Sequence, residues 1–403
     1  MAPRQGKETR SGLFVPQGDG YSAFVPKPLP PTPPIELDSE LPALLEQSGT
    51  ELGRLDGVAR VIPDPDFFVS MYVRREAVLS SQIEGTQSTL EDLLEREIGA
   101  GAGADDHRSD VGDIVNYVQA MNFGLERLQT LPLSLRLIRE IHRELLKDGR
   151  GSHATPGEFR RTQNWIGPDG ASIEQATFVP PPVPEMEKAL GDLESFLHEE
   201  SPYSTLIEVG LAHAQFETIH PFLDGNGRVG RLLNTFLLVQ RGVLRKPLLY
   251  LSLYFKLHRT EYYDRLMAVR LKGDWEGWLA FFLRGVAQTA REATTTAERI
   301  FELRESHRAA IIERGLGDNA LRLLSALFQR PLLNVNLAAE ILGTTYPTAS
   351  RLVGGLEELG ILVEITGRRR SRIYRYEPYV SLFDDPPALG EESAPIEVTE
   401  AAT

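Results

Sequence analysis

The sequence predicts a mainly α-helical protein, and three patterns carry this prediction. Apolar residues recur at helical spacing from Val111 to Arg314. One insertion at residues 149–182 interrupts them, because Gly, Pro and Asn punctuate short β-prone pieces there. From Asn319 to Leu359 three short helical patterns follow one another, and two β-prone runs around a Gly/Arg turn come next. Three helices and a hairpin in this order predict a C-terminal winged helix-turn-helix.

The chain divides into segments of different composition. Residues 1–36 are rich in Gly and Pro, which predicts an extended arm that buries little surface. The predicted connecting helix near the end of the core has few apolar residues and a charged surface, which indicates a spacer or a homodimer face. The other predicted segments are an N-terminal helical region at 37–110, a helical core at 111–285, that connecting helix at 286–315, the winged helix-turn-helix at 316–383 and a disordered acidic tail at 384–403.

Composition excludes several classes of protein and site. The 403 residues carry a net charge of −14, so any nucleic-acid contact needs a local basic patch. The sequence has no cysteine, which excludes disulfides, zinc–thiolate sites and thiol nucleophiles. It has no run of about eighteen apolar residues and no apolar stretch at its start. We therefore expect a cytoplasmic protein with no membrane partner.

Three glycines in the core, Gly225, Gly227 and Gly230, match the G-x-G-x-x-G pattern, but the common interpretations of that pattern fail. A dinucleotide-binding fingerprint needs a preceding strand and a later acidic residue, whereas residues 212–220 read as a helix and residues 228–260 contain no Asp or Glu. A P-loop needs Lys and Ser or Thr after the last glycine. An EF-hand needs a Glu where Thr235 stands.

The same segment has the residue types of a phosphate site. A turn of small residues that leads into a helix presents unpaired N–H groups and the positive end of the helix dipole. Arg228 and Arg231 share one face of that helix, where they can donate to phosphate oxygens. Asp224 offers a hard oxygen suited to Mg²⁺, and His220 titrates near neutral pH. A base beside a site that can bind an anion and a metal indicates phosphoryl-type transfer.

Residues 220–231 read His-Pro-Phe-Leu-Asp-Gly-Asn-Gly-Arg-Val-Gly-Arg, which resembles the Fic signature H-x-F-x-[D/E]-G-N-G-R-x-x-R. The resemblance extends from about residue 31 to 283 and implies a multi-helix Fic core with a β-hairpin flap. It also implies AMP transfer from ATP to a Ser, Thr or Tyr hydroxyl of a protein, including the chain itself. The roles that it implies are general base for His220, Mg²⁺ ligand for Asp224, packing for Phe222, and ATP binding for Asp224, Gly225, Asn226, Gly227, Arg228, Val229, Gly230 and Arg231.

Two further regions resemble parts of that family's site. Residues 155–167 and 178–182 resemble the flap, whose extended backbone can hold a target chain by strand addition; a plain structural loop is the alternative. Tyr262 and Tyr263 stand where the family often places aromatic groups near adenine, and Gln215 can line the same pocket. Aromatic pairs also occur in cores, so both interpretations stay open.

The segment Ser80-Ser-Gln-Ile-Glu-Gly85 resembles the family's inhibitory pattern, [S/T]-x-x-x-E-[G/N]. Ser80 and Glu84 are four apart and share a helix face. A carboxylate presented to Arg231 by Glu84 would occupy the donors that the γ-phosphate needs. The alternative is a solvated Glu at a helix end, but the complete motif at 220–231 favours inhibition.

The C-terminal segment has its own basic patch. From Ala320 to Tyr376 there are eight Arg, four Glu and no Lys, a net charge of +4. The Arg residues concentrate at 368–372, the predicted wing tip, which is typical of phosphate contact with DNA. A protein-interaction module is the alternative. For the whole chain, an ATP-sensing DNA-binding regulator, a Fic enzyme with another nucleotide donor and a de-AMPylating enzyme compete with the AMP transferase.

Overall fold

The computed structural model describes residues 8–18, 20–37, 40–61, 65–99, 105–147, 150–168 and 170–384. The chain forms two compact units, Met1–Phe301 with Phe328–Arg330 and Glu302–Leu327 with Pro331–Thr403. The described residues are mainly helical, with two small antiparallel sheets, so the predicted fold class is confirmed. In this part of the chain no helix combines the length and the apolar content that crossing a bilayer requires. The predicted acidic tail lies, from residue 385 on, outside the described residues.

The first unit contains two strands and the central helices. Its elements are β1 (Gly12–Pro16), β2 (Ser22–Pro26), α1 (Leu41–Val61), α2 (Pro65–Ile83), α3 (Leu90–Glu97), α4 (Asp105–Arg127), α5 (Leu135–Leu145), α6 (Val183–His198), α7 (Thr205–Ile219), α8 (Asn226–Gln240), α9 (Ser252–Leu257) and α10 (Arg259–Lys272). A further helix, α11 (Trp275–Glu313), contributes residues to both units, so the predicted connecting helix begins earlier than residue 286.

The N-terminal arm differs from its prediction. Strand β1 pairs with β2 in antiparallel register, and Phe24 is 1% exposed. The Phe24 ring packs against Phe14 and Phe178, and the Phe24 N–H donates to the Val179 carbonyl. The prediction of an arm that buries little was therefore wrong. The short apolar runs Leu13–Val15 and Ala23–Val25 are long enough to form paired strands, and they outweigh the Gly/Pro composition of the segment.

The insertion between α5 and α6 contains little regular structure. It forms short 3₁₀ turns at Arg150–His153 and Ile173–Gln175, and Ile166 pairs with Phe178 in one isolated antiparallel bridge. Among the described residues of the insertion this is the one β-bridge, so the flap is mostly extended backbone with less strand pairing than the expected hairpin.

Helices α7 and α8 pack against each other at the centre of the first unit. Nearly every residue of both helices is buried, which fits the near-continuous apolar run of α7. A short loop at residues 220–225 connects them, with Gly225 in a left-handed conformation at φ +80°. Because both helices are enclosed by neighbours, the loop between their ends has a fixed position.

In the second unit the described elements after α11 run in the order helix, strand, helix, helix, strand, strand and short helix, and the three strands form one antiparallel sheet with the last strand in the middle. Its core includes Leu323, Leu327, Leu356 and Tyr376, each fully buried. Its elements are α12 (Asp318–Leu327), β3 (Leu332–Leu333), α13 (Val335–Leu342), α14 (Tyr346–Glu358), β4 (Val363–Glu364), β5 (Tyr374–Arg375) and α15 (Glu377–Val380).

The approach of α4 to α8 gives a first testable prediction. A Cβ at Gly124 would lie 2.3 Å from Cζ of Phe236, a buried ring that has no room to move. We expect Gly124→Ala to lower the free energy of unfolding in urea by about 1–3 kcal/mol, the usual effect of overpacking. Gly112→Ala in the same helix is the control, because no described atom lies within 4 Å there. It should raise stability by up to about 1 kcal/mol. Equal effects of the two substitutions would contradict this packing.

Candidate active site

The site begins where α7 ends. His220 has φ +49°, a left-handed conformation that costs a non-glycine residue about 1–2 kcal/mol. Its carbonyl accepts hydrogen bonds from Arg160 Nε at 3.1 Å and Asn164 Nδ2 at 3.2 Å. Both donors belong to the flap segment. The flap therefore holds the backbone of the left-handed turn at His220.

Asn226 closes the loop on the other side. Its Oδ1 accepts the Phe222 N–H at 2.8 Å, and its Nδ2 donates to the Phe222 carbonyl at 2.8 Å. Phe222 is fully buried, as its predicted packing role requires. The Asn226 side chain was expected to contact phosphate, but the structure uses both of its polar groups to shape the loop. Its backbone N–H is the group that can face an anion.

The first turn of α8 provides an anion seat. The first α8 bond runs from the Val229 N–H to the Gly225 carbonyl, so the N–H groups of residues 226–228 precede it. These N–H groups and the helix dipole favour a negative charge. Val229 and Gly230 lie behind the seat: Val229 is fully buried, and a Cβ at Gly230 would lie 2.5 Å from Glu217 Oε1. Their role is therefore to let α7 and α8 approach closely.

Glu84 lies over this seat. Its Oε1 accepts from Arg231 Nη2 at 2.7 Å, and it would lie 2.2 Å from a Cβ at Gly227. Arg231 also donates to Ser80, from Nε to Oγ at 2.8 Å and from the same Nη2 to the carbonyl at 2.9 Å. Arg231 is 3% exposed. Glu84 and Arg231, which were predicted from two distant segments, thus meet. Glu84 uses one carboxylate oxygen in this contact, whereas a bidentate pair would use two.

The charge of Glu84 is maintained by its neighbours. Burial raises the pKa of this carboxyl group, but the charge and the hydrogen bond of Arg231 and the charge of Arg228 lower it below its ordinary value. Glu84 is therefore ionised at neutral pH. A carboxylate at a helix N-terminus is an electrostatic substitute for a phosphate.

Asp224 and Arg228 form the rim of the seat. The Asp224 side chain is 46% exposed, and its Oδ1 accepts the Gly225 N–H at 2.6 Å and lies 3.4 Å from Arg228 Nη2. Arg228 Nη1 also lies 3.8 Å from Asp113. Within the described residues no group of three or more His, Cys, Asp and Glu side chains could hold a metal. One exposed carboxylate fits Mg²⁺ when substrate phosphates and water supply the other oxygens.

His220 has the protonation state of a base. Burial first, and then the charge of Arg270, lower the pKa of its imidazole to about 4, although the charge of Glu84 acts in the opposite direction. The imidazole is therefore neutral at pH 7 and can accept a proton.

Arg270 is a residue of the site that sequence reasoning missed. Its Nη2 donates to the Glu217 carbonyl at 2.9 Å, its Nε donates to Thr218 Oγ1 at 3.2 Å, and its guanidinium lies 3.9 Å from the centre of the Phe178 ring. It therefore joins the C-terminal turn of α7 to the flap. In the sequence, Arg270 is one of several Arg residues on α10, and nothing else there marks it as part of the site.

The three residues predicted near adenine differ in accessibility. Tyr262 is 1% exposed, and its hydroxyl lies 2.9 Å from His213 Nε2. Gln215 is 2% exposed and donates to the Lys27 carbonyl. Tyr263 is 38% exposed, with Arg259 over its ring at 5.3 Å. In this conformation Tyr263 is the one of the three that can offer a surface to a nucleotide, whereas the other two support the core.

Comparison with known proteins gives two adjoining family matches. Residues 43–126 match the family model described as Fic/DOC family N-terminal, and residues 132–238 match the one described as Fic/DOC family. A protein adenylyltransferase Fic of Drosophila grimshawi is 32% identical over 210 residues, 49% of this chain and 38% of that protein. Its counterpart in Drosophila yakuba is 33% identical over 172 residues, 40% of this chain and 31% of that protein. The chain thus spans less than two fifths of the length of these curated relatives.

A solved structure shows the same fold. A Fic family protein from Desulfovibrio desulfuricans G20 superposes with a TM-score of 0.57 at 21% identity. The match covers 85% of this chain and 97% of that protein.

The electrostatics of His220 give the prediction of this section. We expect the His220 ring to titrate near pH 4 in an NMR experiment with labelled histidine. Arg270→Met should move that pKa upward toward the ordinary value of 6.5, because the loss of a nearby cation makes the protonated ring less unfavourable.

Arg265→Met on the same helix is the control, since Arg265 pairs with Glu261 at 3.0 Å. An unchanged His220 titration in Arg270→Met would refute the electrostatic role of Arg270.

Proposed function

We propose that this chain, which contains a Fic N-terminal region and a Fic domain, is a protein adenylyltransferase that moves AMP from Mg·ATP to a protein hydroxyl. One observation carries the proposal: a neutral imidazole and an anion seat stand at opposite ends of one short, rigid loop. A site that only sensed ATP would need the seat but not the base. The adenylyltransferase names of the relatives support the same reaction.

The reaction follows from the positions of these groups. The N–H groups of residues 226–228 bind the phosphates, and Arg228 and Arg231 neutralise their charge. His220 accepts the proton of a Ser, Thr or Tyr hydroxyl, whose oxygen attacks the α-phosphorus. The bond from that phosphorus to the bridging oxygen breaks, and pyrophosphate leaves. Asp224 would hold Mg²⁺, which supplies further neutralisation of the phosphate charge when bound.

The proposal includes inhibition by the chain itself. Glu84 and the phosphates need the same place over the first turn of α8, and Glu84 also uses a donor of Arg231. Since two negative groups cannot share this space, ATP must displace the carboxylate. The arrangement described here is therefore the resting, inhibited state.

Substitutions of Glu84 test this inhibition. We expect Glu84→Gly to raise AMP incorporation roughly tenfold or more, which corresponds to about 1.4 kcal/mol of removed competition. Glu84→Gln, which keeps the length but loses the charge, should give an intermediate rate. His220→Ala should abolish transfer in either background. Intact mass after incubation with each nucleoside triphosphate is the measurement, and a gain of one adenylate from ATP alone is expected.

Glu46→Gln provides a control at an exposed position of α1. Equal labelling of wild type and Glu84→Gly would exclude the inhibitory role. Labelling of the His220→Ala, Glu84→Gly double variant would exclude His220 as the base.

We infer a second activity for the C-terminal unit, where the order of elements supports a winged helix-turn-helix that contacts DNA. The first turn of α14 is exposed, with Tyr346 at 56%. The Arg side chains of the turn between β4 and β5 are also exposed; they are Arg368, Arg369, Arg370 and Arg372. Exposed donors at a recognition helix and a wing favour phosphate contact.

This inference is tested by salt dependence. Arg369→Ala/Arg370→Ala should make the negative slope of log K against log salt concentration shallower by about 2 in a mobility-shift titration, because each phosphate contact contributes about −0.9. Arg304→Ala/Arg308→Ala on α11 is the matched control. Binding that is independent of salt, or equal effects of the two pairs, would favour a protein-interaction module instead.

A further inference from the structure

His142 is a fully buried side chain that the mechanism above does not use and that the sequence did not single out. It stands on α5, 82 positions before Asp224. Its ring stacks on Phe222 with 3.7 Å between the ring centres and an angle of 7°. A stacked aromatic ring is often core packing alone. The two ring nitrogens decide whether His142 does more than pack.

The hydrogen bonds of His142 fix its tautomer. The Gly157 N–H donates to Nδ1 at 2.8 Å, so Nδ1 carries a lone pair and no proton. The proton of the neutral ring is then on Nε2, which lies 3.0 Å from the Asp224 carbonyl and donates to it. His142 is thus bonded to the flap segment on one side and to the loop of the candidate site on the other.

The bond to Asp224 constrains more than one carbonyl group. The Asp224 carbonyl and the Gly225 N–H belong to one planar peptide unit, so an atom that fixes the oxygen also fixes the direction of the N–H. That N–H donates to Asp224 Oδ1 at 2.6 Å. The orientation of the His142 ring is therefore transmitted through the peptide unit to the Asp224 carboxylate.

The neighbours of the loop leave little freedom for another arrangement. A Cβ at Gly225 would lie 3.5 Å from the His142 ring, so the ring packs against this peptide as well. A Cβ at Gly151 would lie 2.5 Å from Asp224 Oδ2, which means that the second carboxylate oxygen fits only because residue 151 lacks a side chain. The carboxylate is thus held on both sides, with its Oδ1 directed to the loop.

We propose that His142 is a positioning residue that orients the Asp224 carboxylate toward the Mg²⁺ of Mg·ATP. The proposal rests on the function proposed above, because it concerns how that site receives its metal. A hydrogen-bond partner that orients a metal ligand typically changes metal affinity 10- to 100-fold when it is removed.

Three variants at this position separate the roles of the ring, each made in the Glu84→Gly background. His142→Phe keeps the stacking on Phe222 and loses both hydrogen bonds. His142→Gln places an amide N–H near the position of Nε2 and retains the bond to Asp224. His142→Asn places an acceptor near the position of Nδ1 and retains the bond to Gly157. His198→Gln, at an exposed position of α6, is the control.

The first measurement needs no nucleotide. The hydrogen exchange rate of the Gly225 amide, followed by NMR, reports directly on the peptide unit that His142 holds. We expect exchange at least about tenfold faster in the Phe and Asn variants, and a rate close to that of the parent in the Gln variant and the control. A Gly225 rate in His142→Phe equal to that of the parent would overturn the proposal.

The second measurement is the affinity for Mg·ATP and for Mg²⁺ at saturating ATP, by calorimetry. We expect a loss of 10- to 100-fold in His142→Phe and His142→Asn, with recovery in His142→Gln. Recovery in Asn but not in Gln would place the role of His142 in anchoring Gly157 and would overturn the proposal. A parent that binds no Mg·ATP would count against the proposed function, while the exchange rates would still decide the role of His142.

Discussion

The two hydrogen bonds between the Asn226 side chain and the backbone of Phe222 close the loop on which the site depends. Phe222 is fully buried, so the loop cannot change shape without opening the core. The left-handed turn at His220 precedes this closure, and the first turn of α8 follows it. The distance between His220 and the first turn of α8 is therefore set by packing and not by a flexible loop, which is what the proposed transfer between a held phosphate and a held hydroxyl would require.

Arg231 connects this loop to the N-terminal helical region. All of its described hydrogen bonds go to Ser80 and Glu84, one turn apart on α2 and the residues just after it. A buried guanidinium without partners would be strongly unfavourable, so some acceptor must always be present. Ser80 and Glu84 supply the acceptors in this structure, and a phosphate would take the place of Glu84 in the proposed active state. The proposed inhibitory contact and the proposed substrate contact would therefore meet the same need of Arg231 for an acceptor.

The proposed exchange of the Glu84 carboxylate for phosphates would also affect the protonation of His220. Burial and Arg270 keep its imidazole neutral, while the negative charge of Glu84 favours its protonation. In the proposed reaction, phosphates that replace the carboxylate would keep negative charge beside the ring, so His220 would retain a partner that stabilises the imidazolium formed during transfer. Because Arg270 also stacks on Phe178, the flap and the base share one cation.

The sequence by itself determined the features that are local along the chain. The segment from His220 to Arg231 contains the candidate base, the turn, the candidate anion site and the arginines within one loop and one helix, so spacing was enough to predict that site and the relation of Arg228 and Arg231. The interval of four between Ser80 and Glu84 likewise predicted one helix face.

Only the tertiary structure decided what distant residues do. Arg270 meets Thr218 across 52 positions, and His142 meets Asp224 across 82. Such contacts depend on how helices pack, and a single sequence does not record which faces meet. Packing also put Tyr262 in the core and paired two strands of the N-terminal arm so that Phe24 is buried, because enclosure by neighbours outweighs the local preference of a segment.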